Sequence, residues 1–257
     1  MLTGYTANNA RLILMIFADT PTTWQDLETR VEQILRECGC QVERSKHVGL
    51  PRGGVDLDVY ARDSTREPAL IIICECKNWN SKIPKNVVHA FRTVVQEAGA
   101  HVGIIISARG FQIGAREAAR NTNIDLLTWG EFQARFYDRW FDSMRLALAP
   151  LADEVFRYSD YFHKRTTEVL NGVPSRVAEL QTLWKRFSAY TSLTSYSVVL
   201  GGRGRILPPS IIDPRSAEIR EIAIPDARTY FDLLLSAGPD AIAAYEFFIA
   251  KYGKEGG

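Results

Sequence analysis

Two carboxylates and an ammonium in the first third of the chain are of types and spacing that could do chemistry. Asp56 lies near the start of the alternating run Val55–Ala61, and Glu75 and Lys77 close the apolar run Ala69–Lys77. Side chains alternate along a strand, so Glu75 and Lys77 point to one face while Cys74 and Cys76 point to the other. An antiparallel hairpin turning near Arg62–Pro68 would bring Asp56 close to Glu75 and Lys77 at its open end. A carboxylate pair at the end of an apolar strand needs a reason to be there, and a hard divalent cation supplies one. Mg²⁺ prefers oxygen ligands and keeps several waters, so Asp56, Glu75 and the main-chain carbonyl of Cys76 form a sufficient ligand set, with Mn²⁺ as a substitute. Lys77 beside it would favour hydroxide formation and stabilise charge on a pentavalent phosphorane. Alone, the Asp…Glu-x-Lys pattern is permissive, and a solvated charge cluster on a sheet edge would use the same residues.

The surrounding elements decide between these readings. Trp24, Leu27, Val31, Ile34, Leu35 and Cys38 recur at three- and four-residue spacing and predict a helix over 23–38, with Thr22 or Thr23 as N-cap and Gly39 past its C-terminus. Cys40–Val48 reads as a strand, followed by a loop over 49–54. The two runs that carry the triad then form a hairpin, the second run apolar enough to be a central strand covered on both faces. A helix from Pro84 to about Ala98 follows, buried through Val87, Val88, Phe91, Val94 and Val95. Then come a strand at Val102–Ser107, a short helix at Phe111–Asn121, a strand at Ile124–Leu127 and a helix from Trp129 to about Leu148. The order α-β-β-β-α-β-α-β-α predicts an α/β fold, a mixed sheet with helices on both faces. Beyond Pro150 the character changes. Amphipathic segments at 151–170 and 177–190 precede a Gly/Pro-marked stretch at 201–214 and two short helices at 226–236 and 240–252. A boundary near 145–155 therefore separates an expected domain over 1–148 from a mostly α-helical region over 149–257.

The run Leu27-Glu28, Ile34-Leu35, Gly39-Cys40-Gln41-Val42, Gly53-Gly54-Val55-Asp56-Leu57 and Cys74-Glu75-Cys76-Lys77-Asn78-Trp79 resembles the Mrr-type restriction endonuclease domain, a branch of the PD-(D/E)XK nuclease superfamily. The similarity continues through Val87–Phe91, Gly103–Ser107, Gly110-Phe111, Ala115–Ala119 and Ile124–Leu127, and covers about residues 24–133. Val55 stands in place of the proline of the superfamily name. The resemblance implies a restriction-endonuclease-like core, Mg²⁺ dependence and hydrolysis of DNA phosphodiester bonds, in a setting of prokaryotic restriction or anti-phage defence. It also carries over Glu28 as an acidic residue that approaches the metal site from the first helix. By periodicity alone Glu28 flanks the apolar stripe and fits either an inward rim or solvent.

Directly after the triad, Asn78, Trp79, Lys82 and Lys85 form a polar, basic and aromatic loop suited to DNA phosphates and bases, or to an ordinary solvated turn. His47 and His89 lie near the site in sequence and could contact substrate or transfer a proton. Cys38/Cys40 and Cys74/Cys76 lack the usual Zn²⁺ ligand spacing and read as core residues. Gly201–Arg205 lacks a phosphate-loop Lys-Ser/Thr and reads as a loop, with Arg203 and Arg205 as possible DNA contacts.

The bulk numbers constrain the partners. Over 257 residues, 46% are hydrophobic and 24% charged, which excludes disorder. A net charge of +1 means that DNA must be held by a local basic face or by an assembly, a homo-oligomer or a partner protein, and not by the field of the whole chain. No uninterrupted apolar run reaches membrane-spanning length, so no membrane partner is expected. The segment Leu12–Ala18 reads as an N-terminal helix or strand, with a signal peptide as the lesser alternative. Four cysteines in a chain of this size fit a reducing cytoplasm. The competing readings are a catalytically silent nuclease-like binding or assembly module, and a repair or junction nuclease built on the same core.

Overall fold

The computed structural model describes residues 15–51, 53–159, 164–194 and 207–253. They divide into two compact units, Asp19–Ser143 and the described parts of Met1–Ala18 with Met144–Gly257.

The first unit is a five-stranded mixed sheet flanked by helices. Helix α1 (Trp24–Glu37) starts at Thr23, whose Oγ1 accepts from the Asp26 N–H at 3.1 Å. It ends where Gly39 takes φ +85°, a conformation glycine adopts without a Cβ clash. Leu27, Val31, Ile34 and Leu35 form its buried stripe. Trp24, expected in that stripe, is 54% exposed, because it is the first helical residue and projects beyond the packed turns. Strands β1 (Gln41–Leu50), β2 (Gly53–Asp63) and β3 (Leu70–Lys77) pair antiparallel in sequence order. Helix α2 (Lys85–Glu97) crosses to β4 (Val102–Ser107), and α3 (Ile113–Ala119) crosses to β5 (Ile124–Thr128), both strands parallel to β3. Val88, Phe91 and Val95 of α2 pack with Leu57, Ile73, Ile105 and Ile124 into one core. Helix α4 (Trp129–Ser159) follows.

The strand pairings end unevenly. The β2–β3 ladder stops at Val59↔Cys74, whereas β1–β2 continues to Leu50↔Gly53 and β3–β4 to Lys77↔Ser107. Below Val59, then, β2 stays with β1 and leaves β3. Ser45, across from this point of departure, has φ +49°. The loop expected over 49–54 is instead the end of this two-stranded arm.

In the second unit are the later turns of α4, α5 (Lys164–Leu170), α6 (Pro174–Arg186), a 3₁₀ turn (Ser188–Ser192), the small hairpin β6 (Ser210–Ile212) and β7 (Glu221–Ala223), and α7 (Ala227–Gly253). Two expected breaks are absent. Helix α4 runs through Pro150, and α7 runs through Pro239 where two helices were expected. Both prolines lie on exposed positions, so the buried face continues past each missing hydrogen bond. Residues 15–18 are neither helix nor strand. The Met15 and Ile16 carbonyls accept from the Ala227 and Arg228 N–H groups at 3.0 Å, satisfying donors in the first turn of α7. The packing thus divides the chain within α4 at 143/144, and groups 15–18 with the second unit instead of with 19–143. By length and composition alone α7 could cross a membrane, but its Tyr230, Phe231, Leu234, Tyr245 and Phe248 are buried in this unit. Gly201–Arg205, with Arg203 and Arg205, lies outside the described residues.

Candidate active site

The departure of β2 from β3 creates the site. Beyond Val59↔Cys74 the N–H of Cys76 has no ladder partner on β2, and a buried N–H needs an acceptor. The Asp58 side chain supplies it: Oδ2 accepts from the Cys76 N–H at 2.7 Å. This places a carboxylate in the fork between the strands, on the β2 face that also holds Asp56 and Tyr60. On β3, Glu75 and Lys77 share a face and pair with each other through Oε1 and Nζ. Their side chains are 23% and 20% exposed. Glu28 reaches the same cluster from α1 and is 6% exposed, so it faces inward.

The electrostatics confirm that these groups sense one another. Burial and then the Asp58 charge push the Glu28 carboxyl up to about 7, against smaller opposing effects of Arg44 and Lys77. Glu75 is also raised, first by burial and then by Asp58, with its Lys77 hydrogen bond pulling the other way. For Lys77, burial favours the neutral amine, but the Glu75 hydrogen bond and the Glu75 and Asp58 charges outweigh it and the pKa rises. Three carboxylates held together at the edge of a low-dielectric core are costly without positive charge.

Asp56 is elsewhere. It lies on the two-stranded arm opposite His47, with His47 Nδ1 and Asp56 Oδ1 2.7 Å apart. Both side chains are open to solvent, 70% and 75% exposed. Of the expected triad, Glu75 and Lys77 pair with each other and Asp56 pairs with His47, while the Asp58 carboxylate accepts from the Cys76 N–H next to Glu75. Asp58 was not among the expected site residues. The signal for Asp58 was present, since it shares the face of Asp56 and Tyr60, but only the register, with Val59 opposite Cys74, sets Asp58 beside Glu75.

Hard carboxylate oxygens suit Mg²⁺, and the crowded, destabilised carboxylates are what a cation would relieve. Among the described residues no three His, Cys, Asp or Glu side chains are close enough to hold a metal ion by themselves. The set fits two carboxylates completed by main-chain oxygen and water. The four cysteines are free and buried, and among the described residues they form no group that could hold a metal ion.

Around the cluster, Asn78 is half-buried and Trp79 is 42% exposed, with Lys77 Nζ 5.8 Å from its ring centre. Lys82 and Lys85 are exposed and, among the described residues, in no ion pair. His89 lies on the exposed side of α2.

Residues 21–136 match the Mrr_cat family model, described as a restriction endonuclease. Among solved structures, the chain is similar to that of a protein of unknown function, AF1548, at 12% identity and a TM-score of 0.39, over 89% of this chain and 100% of that one. No curated protein matches.

Proposed function

Residues 21–136 are an Mrr-type restriction-endonuclease domain, and from that premise we propose that the chain is a Mg²⁺-dependent DNA endonuclease acting through Glu28, Asp58, Glu75 and Lys77. The observation that carries this reading is the fork of β2 and β3, where Asp58 accepts from the Cys76 N–H between the paired Glu75 and Lys77 and Glu28 is buried on α1. Asp58 and Glu75, with the Cys76 carbonyl, would hold Mg²⁺, and Mn²⁺ would substitute. When bound, such an ion polarises a phosphate oxygen and lowers the pKa of water. Lys77 keeps a fixed positive charge where phosphoryl oxygens gain negative charge in the transition state. Its pairing with Glu75 holds the ammonium in place beforehand, so little reorganisation accompanies the reaction. Glu28 adds a carboxylate at the rim, placed to orient a water. Asn78 and Trp79 follow Lys77 directly, and with the exposed Lys82 and Lys85 they would contact the DNA.

The setting we propose is restriction or anti-phage defence in the cytoplasm, with DNA gripped by a homo-oligomer or alongside a partner protein, since the net charge of +1 gives little long-range attraction. Incubation of duplex DNA with the full chain tests the activity. Cleavage should require Mg²⁺, stop with EDTA, and fall at least about a hundredfold in Lys77→Ala. Equal cleavage with and without metal, or by wild type and Lys77→Ala, would overturn the reading.

A further inference from the structure

Next to Lys77 in sequence, Asn78 and Trp79 line a cleft of about 330 Å³ whose walls also present Asn80 and Arg109. Leu27, next in sequence to Glu28, and Trp129 are among the apolar residues of the lining, and Asn78, Trp79, Asn80 and Arg109 are among the others. The Ala108 N–H donates to the Lys77 carbonyl at 3.1 Å, so the loop that carries Arg109 is anchored to the strand end that carries Lys77. The other wall is tied to the same loop. The Ile83 N–H donates to the Gly110 carbonyl, and the Gln112 N–H donates to the Ile83 carbonyl, both at 3.0 Å. Buried Ser107 completes the turn, donating to the Gly110 carbonyl at 3.0 Å and accepting from the Arg109 N–H at 3.2 Å. Residues 78–83 and 107–112 thus form one braced frame.

Three polar side chains on this frame are unengaged. Among the described residues the Asn78 and Asn80 side-chain amides form no hydrogen bond, and the Arg109 guanidinium forms neither a hydrogen bond nor an ion pair with a protein group. Two amides that can both donate and accept, a free guanidinium and an exposed indole make a set suited to one nucleotide. The amides match the edge of a base, the guanidinium a phosphate, and the indole a base face. The volume is in the range of small-ligand clefts, too small for a duplex segment.

We propose that this cleft holds a single unstacked nucleotide of the DNA strand, next to the phosphate presented to Lys77. This rests on the nuclease reading and deepens it by naming the substrate class: DNA with an unpaired or weakly paired nucleotide at the cleavage site. A well-paired base must first be unstacked, which offsets what the cleft returns, whereas a bulged nucleotide arrives already free. Trp79 stacks the base and Arg109 holds its phosphate.

The test compares the full-length chain on two fluorescein-labelled duplexes, one fully paired and one with a single bulged central nucleotide. Affinity is read by anisotropy in EDTA and cleavage in Mg²⁺. The bulged duplex should bind about tenfold more tightly, Trp79→Ala and Arg109→Ala should each remove most of that preference, and Trp79→Phe should restore it. Equal affinity for the two duplexes, or a preference untouched by either alanine variant, would overturn the cleft assignment even if cleavage is normal. A preference for the bulge without any Mg²⁺-dependent cleavage would instead overturn the nuclease reading and support the cleft as a nucleotide-binding site.

Discussion

The Cys76 N–H fixes the Asp58 carboxylate in the fork, and burial, followed by that Asp58 charge, raises both Glu28 and Glu75. A second carboxylate in the same unit shows the opposite balance. Asp63 is 2% exposed and receives two hydrogen bonds from the Arg139 guanidinium and one from the Thr65 hydroxyl, which hold its carboxyl well below the usual range despite burial. Asp63→Asn, which keeps the shape but removes the charge, should cost about 2 kcal/mol at neutral pH, measured by urea denaturation. Because the folded pKa is depressed, this stabilisation is complete above the unfolded value of about 4 and is lost as pH falls below it. The gap between wild type and Asp63→Asn should therefore close in acid; a gap that persists or widens would remove the ion pair as its cause. At this scale the sequence was legible in part. Glu75 and Lys77 were identifiable from alternation on one strand. Asp56 and Asp58 share a face and a residue type, so no local pattern separates them; the divergence of β2 from β3 does.

The elements that present these side chains depend on close fits. Helix α1 brings Glu28 to the cluster and is started by Thr23, so Thr23→Ala should lower stability by about 1 kcal/mol in thermal or urea unfolding. In β4, a Cβ on Gly103 would come within 2.6 Å of Val95, 2.7 Å of Ile124 and 2.8 Å of Phe91. Gly103→Ala should therefore cost about 1–3 kcal/mol by pushing α2 off the sheet, and an unchanged unfolding midpoint would show that the contact yields freely. The periodicities that marked α1, α2 and the five strands were legible because each element has one buried stripe or face. The continuous α4 and α7 were not, because proline in a sequence signals a break, and only tertiary packing shows that Pro150 and Pro239 lie on outward faces where the helix persists. The hairpin of β6 and β7 escaped for a similar reason: strands of three residues, Ser210–Ile212 and Glu221–Ala223, are too short for a period.

For the molecule as a whole, a charge of +1 leaves DNA binding to a local basic face, for which the exposed Lys82 and Lys85 are the proposed contacts. Lys82→Ala and Lys85→Ala should each weaken binding similarly on every DNA sequence and reduce the slope of log affinity against log salt by about one. A slope unchanged in the double variant would place the phosphate contacts elsewhere. The nuclease unit was the readable half of the chain because its chemistry and its sheet share the same residues. The second unit offers buried aromatics such as Tyr190, Tyr230 and Tyr245, which report packing and not chemistry. With cleavage at the fork of β2 and β3, two aspartates only two positions apart should behave differently. Duplex DNA should be incubated in Mg²⁺ with the full-length wild type, Asp58→Asn and Asp56→Asn, after circular dichroism has shown all three folded. Asp58→Asn should lose at least about a hundredfold in cleavage rate while Asp56→Asn stays within a few-fold of wild type; loss of cleavage in Asp56→Asn with full activity in Asp58→Asn would contradict the account.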